Sequence, residues 1–162
     1  MQSELLATAY KLLMANDGLP PSRTDIRRAI STAYYALFHH VADVCAQSLV
    51  GDSVKPLSRA KMQTYRSLRH DDILSACQRA NTMDFGFPAE IRKFAIHFQN
   101  MHKARSLADY DPGPLSDFSL RHAQEKLGEC ADVIQLLNQA DPDDRLAFAV
   151  LVAVKAGYSR KK

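Results

Sequence analysis

The chain has 162 residues, of which 46% are hydrophobic and 24% are charged. This composition is typical of globular proteins and argues against intrinsic disorder. The length fits one domain that can bury a full hydrophobic core. The formal net charge of +3 is compatible with a nucleic-acid partner but does not require one.

Cysteine spacing and hydropathy indicate the cellular compartment of the protein. Cys45, Cys77 and Cys130 are widely spaced and form no Cys-x-x-Cys motif, which favours reduced thiols. The first residues lack the basic region and apolar core of a signal peptide. The longest apolar run, residues 146–154, is too short to span a bilayer. We therefore expect a cytoplasmic protein without a membrane segment.

Apolar residues recur at helical spacing along the chain and predict an all-α protein. Residues 70–80 are ambiguous, because they either continue the preceding helix or form a separate one that Asp71 and Asp72 begin. The other predicted helices cover residues 2–15, 23–50, 59–69, 88–110, 116–138 and 141–157. Expected N-caps are Thr24 or Asp25, Ser58, Ser116 and Asp141.

The second predicted helix is the one around which the chain is organised. Its apolar stripe comprises Ile30, Tyr34, Leu37, Val41 and Val44. A polar stripe runs beside it at steps of four: Arg27, Ser31, Tyr35 and His39. Tyrosine and histidine combine an apolar body with a polar tip, which suits the half-buried wall of a cleft. Alternatively, these are core residues whose polar atoms are satisfied by their neighbours.

The third predicted helix is basic. Four cationic residues and no acidic residue occur in 59–69: Arg59, Lys61, Arg66 and Arg69. Such a run either follows a phosphate backbone or is an ordinary solvated helix face. His70 comes directly afterwards and is either a surface residue or a contributor to the same cleft as His39.

The helix over 88–110 ends with an exception to its own pattern. Its apolar stripe comprises Ile91, Phe94, Ala95, Phe98 and Met101. Continued at helical spacing, that stripe reaches Arg105 and Asp109. Arginine four residues before aspartate is the weaker order for a helix ion pair, and aspartate near a helix C-terminus opposes the dipole. Asp109 therefore needs a tertiary partner, for which Arg27 is the expected residue, or a ligand. The alternative is a structural buried ion pair.

Two motifs in the expected order resemble the HEPN superfamily. They are Arg27-x-x-Ile-Ser-x-Ala-Tyr-Tyr-Ala-x-Phe-His39 and Arg105-Ser-Leu-Ala-Asp-Tyr110. The resemblance implies a HEPN-like up-and-down bundle of five to six helices that commonly dimerises. It covers about residues 1–140. Residues 141–157 would be an additional helix packing on the bundle or on a dimer partner, and 158–162 a flexible basic tail.

The resemblance is incomplete at the position that matters for catalysis. HEPN ribonucleases carry Arg-x(4–6)-His at this point, and Tyr110 occupies the histidine position. Tyrosine, with an ordinary pKa of about 10, is a poor general base at neutral pH. The segment Arg92-x(4)-His97 fits the pattern literally, but it lies mid-helix, and we interpret it as chance.

Three functions remain open from the sequence. The first is an RNA- or nucleotide-binding module of toxin–antitoxin or defence type, whose cleft residues would be Arg27, Tyr35, His39, Arg105, Asp109 and Tyr110. The second is a metal-independent endoribonuclease that uses Arg105 with His39 or His70. The third is a non-catalytic dimeric interaction protein. A nucleotidyltransferase-type protein partner is also implied by the resemblance. No cofactor or metal site is predicted.

Overall fold

The structure, a computed structural model, describes residues 1–14, 18–51, 55, 58–82, 86–111 and 119–154. Every regular element within these ranges is an α-helix, as predicted. The elements are α1 (Gln2–Leu12), α2 (Arg23–Val50), α3 (Arg59–Ser67), α4 (His70–Ala80), α5 (Ala89–Tyr110), α6 (Leu120–Gln139) and α7 (Pro142–Ala153).

Helix α2 is the centre of the bundle and packs against α1, α3, α5, α6 and α7. Five of its fourteen buried residues are alanine, whose small side chain lets neighbouring helices approach closely. Its predicted apolar stripe is confirmed. Tyr34, Leu37 and Val41 are inaccessible to solvent, and Ile30 is equally buried.

The start of α2 differs from the prediction. Ser22 is the N-cap, and its hydroxyl accepts from the Asp25 amide N–H at 3.2 Å. The Asp25 carboxylate accepts in return from the Ser22 amide N–H at 3.0 Å. This reciprocal capping box uses a residue three positions inside the helix, so Asp25 belongs to the first turn. The expectation of Thr24 or Asp25 as N-cap is therefore wrong.

Two other predicted caps are confirmed and one is wrong. Ser58 accepts from the Lys61 amide at 3.2 Å, and Asp141 accepts from the Asp143 amide at 2.8 Å. Helix α6 begins three residues later than predicted, because its N-cap is Ser119. The expected cap, Ser116, lies outside the described residues. Helix α1 ends at Leu12, three residues earlier than predicted, and α5 ends at Tyr110, as predicted.

Residues 59–80 form two helices, so the described residues contain seven helices rather than five to six. The break is at Leu68 and Arg69, whose backbones are extended. Leu68 is buried there and anchors the turn in the core. Asp71 and Asp72 lie in the first turn of α4, where carboxylates interact favourably with the helix dipole.

Helix α5 lies between α2, α4 and α6, and its predicted apolar stripe is fully buried. Helix α7 packs on α2 and α4 and inserts Phe148 into the same core. The Phe148 ring meets Phe87 and Phe94 edge-on, at centroid distances of 6.1 and 6.3 Å. The predicted continuation of this helix through residues 155–157 and the tail lie outside the described residues.

Candidate functional site

Asp109 forms an ion pair with Arg105 of its own helix rather than with the expected tertiary partner. Arg105 Nε lies 2.8 Å from Asp109 Oδ2, in an ion pair whose N–H is not aligned for a hydrogen bond. The same carboxylate oxygen accepts from the Ser31 hydroxyl at 3.3 Å. The two charged side chains are 21% and 16% exposed, so the pair is neither fully buried nor freely solvated.

Arg27 does not pair with Asp109, and that expectation is wrong. Its guanidinium caps the C-terminus of α5: Nε donates to the Ala108 carbonyl at 2.6 Å, and Nη2 donates to the carbonyls of Leu107 and Asp111. The last carbonyls of a helix have no partner within the helix and carry its negative dipole end. A guanidinium satisfies both requirements. Arg27 therefore joins α2 to the end of α5.

Arg105 lies among three tyrosine rings. Its Cζ atom is 5.9 Å from the ring centroid of Tyr34, 5.7 Å from that of Tyr35 and 5.3 Å from that of Tyr110. Its Nη2 donates to the hydroxyls of Tyr35 at 3.1 Å and Tyr110 at 3.4 Å. Cation–π attraction and these hydrogen bonds together hold the guanidinium plane in place.

The environment of Arg105 also favours its charge. Burial alone would lower its pKa, but Tyr35 and Asp109 outweigh that effect and the pKa is raised. Tyr110 is 71% exposed, so one aromatic ring beside this cation faces solvent. We call Arg105, Asp109, Tyr34, Tyr35, Tyr110 and His70 the Arg105 cluster.

His70 joins the Arg105 cluster through Tyr34. Its Nδ1 lies 2.7 Å from the Tyr34 hydroxyl, and its ring stacks on Phe38 at a centroid distance of 3.9 Å. Burial lowers the pKa of His70, and the charge of Arg105 lowers it further. The neutral form of the imidazole is therefore favoured, and its Nδ1 contacts the hydroxyl of Tyr34, whose ring centroid lies 5.9 Å from Arg105 Cζ. His102 meets the Tyr34 ring edge-on at 5.6 Å.

His39 lies one turn of α2 beyond Tyr35 and contacts different residues. Its Nδ1 forms a hydrogen bond with the Tyr65 hydroxyl of α3, and the two rings are stacked 5.9 Å apart. Burial and the positive amino terminus lower its pKa. His39 touches Phe38, which stacks on His70. His39 is therefore linked to the Arg105 cluster through the Phe38 ring rather than through Arg105 itself.

Sequence reasoning found Arg105, Tyr35, His70, Asp109 and Tyr110, which the structure brings together. It assigned Tyr34 to the core stripe only and did not use His102 or Phe38. Tyr34 is indeed inaccessible to solvent, yet its ring contacts Arg105 and its hydroxyl contacts His70. Four-residue spacing from Tyr34 to Phe38 was the available signal, since it places both rings on one face.

The Arg92-x(4)-His97 pattern does not form a second site. Within the described residues His97 is buried against α6, with Nδ1 3.2 Å from Glu129 Oε2 and Nε2 3.4 Å from Cys130 Sγ. Arg92 is exposed. Among the residues described, no group of three or more histidine, cysteine, aspartate or glutamate side chains has a metal-binding arrangement.

Comparison of the chain with models of known protein families, curated protein sequences and solved structures gives no match. The resemblance to HEPN domains therefore stays a prediction. None of the described helices combines the length and hydropathy needed to cross a membrane. The function has to be inferred from the Arg105 cluster itself.

Proposed function

We propose that this protein is a HEPN-like RNA-binding module of toxin–antitoxin or defence type, and that the Arg105 cluster binds a phosphate and an adjacent base of single-stranded RNA. The observation that carries the proposal is a permanently charged guanidinium, held by tyrosine hydroxyls, directly beside a solvent-facing tyrosine ring. Single-strand binding proteins combine these two elements, a cation for the backbone and a ring on which a base stacks.

The contacts around Arg105 fix the plane of its guanidinium before a ligand arrives. Because Nε faces Asp109 and Nη2 donates to two tyrosine hydroxyls, a phosphate would bind through Nη1 or by replacing one of those hydroxyls. Preorganisation of this kind reduces the entropy lost on binding. The ring centroid of Tyr110 is 5.3 Å from Arg105 Cζ, which is close enough for one nucleotide to contact both side chains.

Basic residues near His70 would extend the phosphate contacts. Arg66 and Arg69 are exposed at the junction of α3 and α4, next to the first residue of α4. The acidic residues Asp71 and Asp109 offset part of this charge. With a formal net charge of only +3, we expect salt-sensitive binding of moderate affinity.

The test is fluorescence anisotropy with a short labelled single-stranded RNA at low and physiological salt. Arg105→Ala should weaken binding by about tenfold or more, because a charged hydrogen-bond pair is lost. Tyr110→Ala should weaken it by about 5- to 150-fold, the range for one stacked base. Arg92→Ala is the matched control, an exposed arginine on the same helix. Equal effects of Arg105→Ala and Arg92→Ala would overturn the proposal.

A metal-independent endoribonuclease is the second candidate, and the position of His70 is what favours it. A neutral imidazole within the Arg105 cluster could accept a proton from a 2′-hydroxyl while Arg105 holds the phosphate. RNA cleavage in EDTA tests this. Loss of cleavage in both Arg105→Ala and His70→Ala would support it, with His39→Ala separating the two histidines. A folded, RNA-binding preparation that does not cleave would leave binding as the function.

A further inference from the structure

The hydroxyl of Tyr34 is buried against one ring nitrogen of His70. Tyr34 is inaccessible to solvent, and its hydroxyl oxygen lies 2.7 Å from His70 Nδ1. The two rings are also stacked, with centroids 5.5 Å apart. Either group could supply the hydrogen of this bond, because a hydroxyl both donates and accepts and a neutral imidazole has one nitrogen of each kind.

Burial of the Tyr34 hydroxyl indicates the direction of the bond. Among the described residues, His70 Nδ1 is the one hydrogen-bond partner of this hydroxyl. If His70 donated from Nδ1, the hydroxyl hydrogen would be buried without an acceptor, which native structures avoid. The hydroxyl also keeps its hydrogen, because burial raises the pKa of Tyr34 well above its usual value. Tyr34 therefore donates, and His70 Nδ1 accepts.

The same bond determines what His70 presents to a ligand. When Nδ1 accepts, a neutral imidazole carries its hydrogen on Nε2. Within the part of the chain that the structure describes, Nε2 has no hydrogen-bond partner and is not enclosed. The neutral form is favoured, since burial and the charge of Arg105 both lower the pKa of His70. At its unpaired nitrogen His70 is therefore a donor rather than an acceptor.

The tyrosine hydroxyls beside Arg105 can also donate to a ligand. Those of Tyr35 and Tyr110 each accept from Arg105 Nη2, and an accepting hydroxyl still has its own hydrogen to donate. His70 borders the same site, because its ring centroid is 5.8 Å from that of Tyr35 and Arg105 Cζ is 5.7 Å from it. The carboxylate of Asp109 is already paired with Arg105 Nε. An anionic oxygen is the ligand atom that matches such a set of donors.

We infer that Tyr34 holds His70 in the Nε2–H tautomer, and that His70 donates from Nε2 to a phosphate oxygen of RNA bound at the Arg105 cluster. The phosphate contact rests on the proposed function, whereas the tautomer is a property of the free protein. Tyr34 is a positioning residue, since it acts on the ligand through His70. An imidazole with its hydrogen on Nε2 cannot accept a 2′-hydroxyl proton there, so the tautomer favours binding over cleavage.

Nitrogen-15 NMR of the histidine rings tests the tautomer without RNA. The ring-carbon protons report which nitrogen is protonated, and the His70 signals are identified by their loss in His70→Gln. At neutral pH, wild-type His70 should have its hydrogen on Nε2 alone. Tyr34→Phe removes only the hydroxyl and should allow a population of the Nδ1–H tautomer. Hydrogen on Nδ1 in the wild type, or unchanged ring signals in Tyr34→Phe, would overturn the inference.

Two amide substitutions of His70 test the donor role in the anisotropy assay. Glutamine can place an amide N–H near the Nε2 position, whereas asparagine reaches only the Nδ1 position. Both variants lose the ring that stacks on Phe38, so the contribution of stacking cancels between them.

His70→Asn should weaken RNA binding by about tenfold or more, because a hydrogen bond to a charged group is lost. His70→Gln should bind at least about fivefold more tightly than His70→Asn, because it retains a donor. Equal losses in the two variants would overturn the donor role and leave the proposed function in place. A wild-type protein that binds no RNA would overturn the proposed function and the donor role together.

Discussion

Arg27 is expected to stabilise the fold through the C-terminus of α5, and Arg27→Ala measures how much. The bond to the Ala108 carbonyl is partly buried, whereas those to Leu107 and Asp111 are exposed and can be replaced by water. A hydrogen bond to a charged group contributes about 1.5–3 kcal/mol, and a cation at a helix C-terminus about 0.3–1 kcal/mol. Discounting the exposed bonds, we expect a loss of about 2–3 kcal/mol.

Urea denaturation followed by circular dichroism gives this free energy directly, and thermal denaturation should show a midpoint lower by about 4–12 °C for a domain of this size. Arg28→Ala is the matched control, an exposed neighbour on the same helix, and should cost less than about 0.5 kcal/mol. If Arg27→Ala leaves stability unchanged but abolishes RNA binding, the capping argument fails and Arg27 binds the ligand.

Three further predictions concern the core. Burial lowers the pKa of His40, and Asp43 and the Ile134 carbonyl offset this shift in part. The unfolded state therefore binds more protons than the folded state. The free energy of unfolding should fall as pH drops from about 7 to 5. His40→Leu should reduce the slope of that pH dependence in urea titrations, because it removes one of the histidines whose pKa burial lowers. His39, His70 and His97, whose pKa values burial also lowers, should keep the remaining slope. Phe148→Ala should lower the free energy of unfolding by about 3–5 kcal/mol in the same assay. A much smaller decrease would contradict the packing of α7 into the core. A thiol reagent should label none of the cysteines until urea unfolds the protein, since burial raises the pKa of each thiol.

Helical periodicity was sufficient to predict which residues of α2 and α5 face each other, but not how far along their axes they meet. Tyr35 and His39 share the polar stripe of α2, yet four residues advance a helix by about 6 Å. As a result, Tyr35 contacts Arg105 near the C-terminus of α5, whereas His39 contacts Tyr65 of α3. The sequence contains the stripe but not the axial position of the neighbouring helices.

The same limitation explains the wrong partner for Asp109. Arg27 and Ser31 are both on the side of α2 that faces α5, and the charge of Arg27 made it the obvious choice. In the structure α5 ends beside Arg27, so the guanidinium meets free carbonyls, and the smaller Ser31 reaches Asp109. Free carbonyls at a helix end carry no side-chain signal in the sequence, and their position depends on where that helix stops.

Asp109 has a further consequence for the Arg105 cluster. Its carboxylate occupies the Nε side of the guanidinium, while Tyr35 and Tyr110 accept from Nη2. An arriving phosphate must therefore compete with a negative charge 2.8 Å from Arg105 Nε. The helix dipole opposes an aspartate at this position and the i,i+4 order is the weaker one, whereas the contacts to Arg105 and to Ser31 of α2 favour it. On the proposed function, Asp109 orients the guanidinium and competes with simple anions, and stacking on Tyr110 would offset that competition for a nucleotide.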